Sequence, residues 1–199
     1  NINNMALMFN GCSALTSINF ANFITSNVEG MYGMFAGCSK LKELDISMFN
    51  TSKLRDMRIM FADLSSLVSL DLSYLDTSNV VNMGYLFVTC SSLTNLKISN
   101  FKTNNAVTFR AMFSSCTSLT SLDLSNFNTE KVENMAYMFF ECRNLSYINL
   151  LGFETLKVNG MDNMFSGCWS LTSIDISHFK TSNVGYFHNM FYDCPLLTS

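Results

Sequence analysis

Seven cysteines, two histidines and a recurring line of acidic residues are the side chains best suited to catalysis or metal binding. Cys12, Cys38, Cys90, Cys116, Cys142, Cys168 and Cys194 stand at multiples of 26 residues. Zinc needs ligands clustered in space, commonly as C-x2-C pairs, and these thiols are each at least a full period apart. Leu64 holds the one position where Cys is missing, so the column reads as small apolar side chains. Neighbouring units at sheet spacing, about 5 Å, would also be within cystine reach. The odd count and shared orientation speak against systematic pairing. His178 and His188 fall on different elements, and no Ser or Cys has a His at a matching position in its own unit, so a nucleophile–base dyad is not expected.

The acidic line is Asp45, Asp71, Asp123 and Asp175, with Asn19, Lys97 and Asn149 in the same column. Two carboxylates at strand spacing, as in Asp45 and Asp71, can bind Ca²⁺. Lys97 and Asn149 interrupt the line, however, and the oxygens to fill six or more positions are not evident. A solvated polar face is the expectation, with no catalytic residue, metal or cofactor.

These columns are part of a period that runs through the whole chain, which is the signature of a stacked repeat. Val28, Leu54, Val80, Ala106, Val132, Val158 and Val184 are each 26 residues apart, and seven residues after each comes Phe, from Phe35 to Phe191. Leu15 to Leu197 and Thr25 to Thr181 form two further strict columns, with no insertion or deletion. Thirteen of the 14 Met lie in the columns of Met31 and Met34; Met48 is the exception. The 48% apolar content is ample for a core, and a net charge of −3 leaves no basic patch for nucleic acid or anionic lipid. No apolar run approaches the roughly 20 residues of a membrane span, and residues 1–20 lack the pattern of a signal peptide.

Within a unit, Val28, Met31, Met34 and Phe35 fall at i, i+3, i+6 and i+7, which predicts a short helix. Ser26 and Glu29 fit a capping box, Thr25 reads as turn and helix-start chemistry, and Gly37 stands where the helix would end. Leu44 and Ile46 then alternate with Glu43 and Asp45, predicting a half-buried strand of about four residues. Leu41-Lys42-Glu43-Leu44-Asp45-Ile46 has the L-x-x-L-x-L spacing of leucine-rich repeats. Phe23, Phe49, Phe101, Phe127, Phe153 and Phe179 stand where such repeats carry Asn or Cys, so an aromatic stack is expected in place of an Asn ladder.

Thr25-Ser26-Asn27-Val28 leading to Met34-Phe35-Ala36-Gly37-Cys38, together with Leu122-Asp123-Leu124-Ser125-Asn126-Phe127-Asn128-Thr129, resembles the BspA-like leucine-rich-repeat surface proteins over the whole chain. One unit cannot bury its apolar side alone, so stacking is required. The expected fold is an α/β solenoid, a right-handed leucine-rich-repeat coil with a parallel sheet on one face and short helices on the other. Residues 1–199 read as one repeat domain of seven 26-residue periods and a 17-residue remainder. Without capping repeats, it reads as an excerpt of a longer array or a subunit meeting others end to end.

Outward strand positions, free of packing duty, are the expected ligand face: Glu43, Asp45, Asp71, Asn95, Lys97, Asp123, Tyr147, Asn149 and Asp175, with Tyr74 and His178 just beyond strand ends. The Thr-Ser pairs are not spaced as an ice-binding lattice. Asn50-Thr51-Ser52 and Asn144-Leu145-Ser146 match the glycosylation pattern in a chain rich in these residues. The resemblance implies a non-enzymatic, extracellular or cell-surface scaffold, adhesin-like, binding a protein or glycan. The strict register and uncapped ends suggest the alternative of a spacer or self-assembling filament subunit.

Overall fold

The computed structural model describes residues 2–199; Asn1, the first residue of the expected repeat domain, lies outside the described residues. The 26-residue units stack in register. Parallel bridges join Asn4 to Gly30, Gly30 to Asp56, Asp56 to Asn82 and onward without a break to Tyr186. This ladder follows the segment in which a helix was expected, and among the described residues no helix forms. In the second unit, the N–H groups of Met31, Gly33, Phe35 and Gly37 donate to Asp56, Arg58, Met60 and Ala62 of the next unit at 2.9–3.0 Å. The N–H groups between them, Met34, Ala36 and Cys38, donate three residues back to Met31, Gly33 and Phe35. The segment is therefore a ribbon of tight turns whose alternate donors reach the neighbouring unit.

Spacing explains why the helix loses. The Phe column from Phe9 to Phe191 is a continuous stack, with ring centroids 5.4–6.0 Å apart and planes within 16°. A helix is about 10 Å across and cannot repeat at that interval. A segment this short also has no stability of its own as a helix. Turns of three residues still bring Met31, Met34 and Phe35 to the same side, so the apolar spacing is met without one. The ribbon needs two left-handed residues per unit. Gly33 and Gly37 supply them in the second unit, but Ile59 and Asp63, Tyr85 and Thr89, and Ala111 and Ser115 adopt φ of 52–60° in the next three. Each costs a side-chain-bearing residue about 1–2 kcal/mol, offset by inter-unit hydrogen bonds and by burial.

The Thr column also has a different role from the helix start expected of it. Thr25 Oγ1 donates to the Asn50 carbonyl at 3.0 Å and accepts the Asn50 N–H at 2.8 Å. Thr51, Thr77, Thr129 and Thr155 clasp the next unit in the same two-way fashion. No Ser26–Glu29 capping box exists, and Glu29 instead faces Arg55 at 3.9 Å. The thiols are unpaired, and they are donors as well as filler. Cys90 Sγ lies 2.9 Å from the Phe61 carbonyl, and the same contact recurs from Cys38–Phe9 to Cys194–Phe165.

On the opposite side lie four short strands: β1 (Ser69–Asp71), β2 (Asn95–Lys97), β3 (Ser121–Asp123) and β4 (Tyr147–Asn149). They pair in twos, β1 with β2 and β3 with β4, in parallel and one period apart. The expected parallel sheet is thus present but divided. Leu70, Leu122 and Ile148 point into the core, which runs unbroken along the stack and holds the Met, Phe, Leu and Cys columns. In the column of Phe23 to Phe179, expected to be stacked, the stacked pair is Phe101–Phe127; the continuous stack is the Phe9–Phe191 column. No helix of the described residues is long and apolar enough to cross a membrane.

Two outcomes follow from these bonds. Thr129→Val removes a buried hydroxyl bonded at 2.7 Å to both the N–H and the C=O of Glu154, and should lower unfolding free energy by about 1–3 kcal/mol. Thr181→Val, at an exposed position, should cost much less; urea unfolding compares the two. Burial pushes the Cys90 and Cys142 thiols up to about 12 from the ordinary 9.0. The unfolded chain then loses these protons first, so their contribution is full below about pH 9 and declines between pH 9 and 12. Stability measured at stepped pH should show that decline, and Cys142→Ala should make it shallower.

Candidate functional site

The strand face is built from outward residues that alternate with buried ones. Ser69, Asn95, Ser121 and Tyr147 lead the four strands and are exposed; Asp71, Lys97, Asp123 and Asn149 end them. Glu43 and Asp45 are exposed on the preceding unit, where the expected strand is not formed. The acidic column is less free than a solvated face would be. Oδ1 of Asp45, Asp71, Asp123 and Asp175 accepts the N–H of Ser47, Ser73, Ser125 and Ser177, and Asn149 does the same for Leu151. Each of these closes a turn two residues on, and the second oxygen of Asp71 accepts from Lys97.

Those bonds favour the charged form. The Ser47 and Ser125 N–H groups, and the Ser177 hydroxyl, hold Asp45, Asp123 and Asp175 below the usual carboxylate range. Asp71 is lowest, at about 2, chiefly because the Lys97 ammonium donates to it and then because of the Ser73 hydroxyl and N–H. Lys97 Nζ lies 2.8 Å from Asp71 Oδ2, across the register pair of β1 and β2. Lys97, which interrupts the column, is thus the partner of the Asp before it. Among the described residues no three His, Cys, Asp or Glu side chains converge as metal ligands.

Four of the predicted residues come together. Tyr147, Asn149, Asp175 and His178 line one cavity of about 290 Å³ with Ser173 and Leu151. Tyr147 is 57% exposed. His178 Nε2 lies 3.1 Å from the Leu150 carbonyl and its ring meets Phe179 edge-on. Asp45 borders a smaller cavity of about 220 Å³ with Asn19 and Met48. Glu43, Tyr74 and Asn95 are exposed and border neither. A larger cavity, about 420 Å³, lies on the first unit among Ile2, Met5, Met8 and Phe23, away from the predicted face.

Sequence reasoning missed an arginine–aromatic series on the turn side. The guanidinium of Arg58 lies over Tyr32 at 5.2 Å, that of Arg110 over Tyr137 at 4.9 Å, and that of Arg143 over Trp169 at 4.4 Å. Arg110 Nε also donates to the Tyr85 hydroxyl at 2.8 Å, and Trp169 Nε1 to Asp193 at 2.9 Å. The signal was present: Arg58 follows Tyr32 by 26 residues and Arg143 precedes Trp169 by 26.

The chain matches the family described as "Mycoplasma protein of unknown function, DUF285" over residues 1–71, 64–150 and 123–199, which together take in its full length. It belongs to that family. No curated protein matches it. Among solved structures, a leucine-rich repeat protein from Bacteroides ovatus is similar with a TM-score of 0.52 and 21% identity, over 97% of this chain and 56% of that one. The T. pallidum leucine-rich repeat protein (TpLRR) gives 0.45 and 22%, over 83% and 69% of the two chains. An internalin (inlF) from Listeria monocytogenes gives 0.33 and 18%, over 86% and 50%. The DUF285 chain thus has the leucine-rich repeat solenoid fold, and spans little more than half the length of the Bacteroides protein.

The Asp71–Lys97 pair has a direct readout. In wild-type protein the Asp71 carboxyl should titrate near 2, so its share of stability is complete above about pH 3.8 and fades as pH falls toward 2. Lys97→Met should bring Asp71 up to the range of Asp123 and Asp175, followed by carboxyl ¹³C shifts against pH.

Proposed function

We propose that this chain is a non-enzymatic binding scaffold, displayed outside the cell or at its surface, whose strand face engages a protein or glycan partner in the manner of an adhesin. One observation carries the reading: the strict columns are committed to packing or to inter-unit bonds, while the strand-face positions that vary from unit to unit are exposed or half-buried. Tyr74 and Tyr147, at 65% and 57% exposure, offer aromatic area with a hydroxyl and few rotamers, the usual make-up of interface anchors. Arg58, Arg110 and Arg143 on the turn side, by contrast, already lie on aromatic rings of neighbouring units. The cell-surface placement rests on the resemblance to BspA-like proteins. A second reading, a spacer, draws on the unbroken turn-side ladder, which holds successive units at a constant interval.

Purified protein applied to immobilised extracellular-matrix proteins and printed glycans should give saturable binding to at least one. Tyr147→Ala and Asp123→Asn, which keeps the turn acceptor, should weaken it about fivefold or more, and Arg110→Ala on the turn side should not. Absence of saturable binding, or equal loss in all three variants, would reject the strand face as the binding surface and leave the spacer.

A further inference from the structure

The strand side has hydrogen-bonding capacity left over at alternate unit boundaries. Leu72 N–H donates forward to Lys97, and Leu124 N–H to Asn149, so this position in each unit points to the next one. The equivalent Leu150 N–H makes no such bond to the segment 173–175, and no backbone bond joins that segment to β4. Crossing this boundary, the last backbone bond is Ser170 N–H to the Arg143 carbonyl at 3.0 Å. The next hydrogen bonds are His178 Nε2 to the Leu150 carbonyl at 3.1 Å and Lys180 N–H to Thr155 Oγ1 at 2.6 Å. Between them lies the 290 Å³ cavity, whose lining includes Ile148, Leu150, Ser173 and Asp175. Backbone N–H and C=O groups in such a place need partners.

A ligand that fills this opening must offer donors and acceptors side by side and an apolar plane for the exposed Tyr147 ring. It must also suit the second oxygen of Asp175, whose Oδ1 is held by Ser177. His178 donates from Nε2 to the Leu150 carbonyl, since that carbonyl can only accept, and in the neutral ring Nδ1 is then an acceptor. Pyranose rings meet all of these demands: each hydroxyl both donates and accepts, and the ring carries a C–H face for an aromatic plane. We infer that the boundary between β4 and residues 173–175 is a carbohydrate subsite, with a sugar ring stacked on Tyr147 and its hydroxyls set between the unpaired backbone groups, Asp175 and His178. The inference rests on the strand-face reading above and names its ligand class. The boundaries after residues 43–46 and after β2 repeat the Ser-x-Asp element as Ser69/Asp71 and Ser121/Asp123, but place Glu43 and Asn95 where Tyr147 stands. At the second of these, the Asn126 amide also reaches across to the Ser99 carbonyl at 2.7 Å. The aromatic platform therefore exists at one boundary of the three.

Titration of ¹⁵N-labelled protein with methyl glycosides, lactose, N-acetyllactosamine, chitobiose and maltose tests this. At least one should shift the amides of Ile148, Leu150, Ser173 and Asp175 together and to saturation. Tyr147→Ala should weaken that sugar about tenfold, and Tyr147→Phe, which keeps the ring, by no more than about twofold. Sugars that leave these amides unmoved, or that shift a different set, overturn the subsite. If a matrix protein still binds in a Tyr147- and Asp123-dependent way, the strand-face reading survives that failure; silence in both assays ends both.

Discussion

Everything in this coil follows from the interval at which one unit repeats on the turn side. Backbone ladders require neighbours about 4.8 Å apart, and the Phe9–Phe191 rings, 5.4–6.0 Å apart, are stacked at nearly that distance with an offset. A helix there would satisfy its own donors and forfeit the ladder. The turn ribbon instead sends alternate donors across the boundary, at the cost of left-handed conformations at residues as unsuited to them as Ile59 and Thr89. The strict 26-residue register has the same cause. An insertion in one unit would displace its whole set of inter-unit donors together with a ring in the stack.

The core was legible in the sequence because burial repeats with the period. The Met, Phe, Leu and Cys columns are where the period puts them, and the strand face was correctly separated from the core. What misled was chemistry that two structures share. A hydroxyl that caps a helix and one that clasps a neighbouring unit both accept an N–H beside a turn, so Thr25 fits either. The difference lies in whose N–H it is, and the polar residue 25 positions later is no signal until the stacking distance is known. The i, i+3, i+6, i+7 spacing is likewise common to a helix and to a chain of three-residue turns. The Cys column read as apolar filler because Leu64 substitutes for it. The S–H bonds to Phe carbonyls depend on a one-unit offset that composition does not reveal.

The same limit applies to the site. Asp45, Asp71, Asp123 and Asp175 lie on the strand side, and each accepts a bond from its own chain two residues on. That bond fixes each carboxylate in orientation and favours its charged form. Lys97 departs from the pattern and neutralises Asp71, which leaves the outward charge uneven along the face. Such unevenness suits recognition better than a uniform acidic strip, because a partner can be placed against it in only one register.

The two sides of the coil differ in what a substitution disrupts. On the turn side, a changed backbone conformation breaks bonds to both neighbours, and Arg58, Arg110 and Arg143 are stacked on rings of adjacent units. On the strand side, the backbone pairs only in twos, and the outward side chains at the heads of the strands bear on no other unit's ladder. Glu43, Ser69, Asn95, Ser121, Tyr147 and Ser173 can occupy one column because nothing in the fold depends on which of them is present. A scaffold that holds itself together from one side is free to vary the other without loss of the fold, and the binding role proposed for the strand face draws on that freedom.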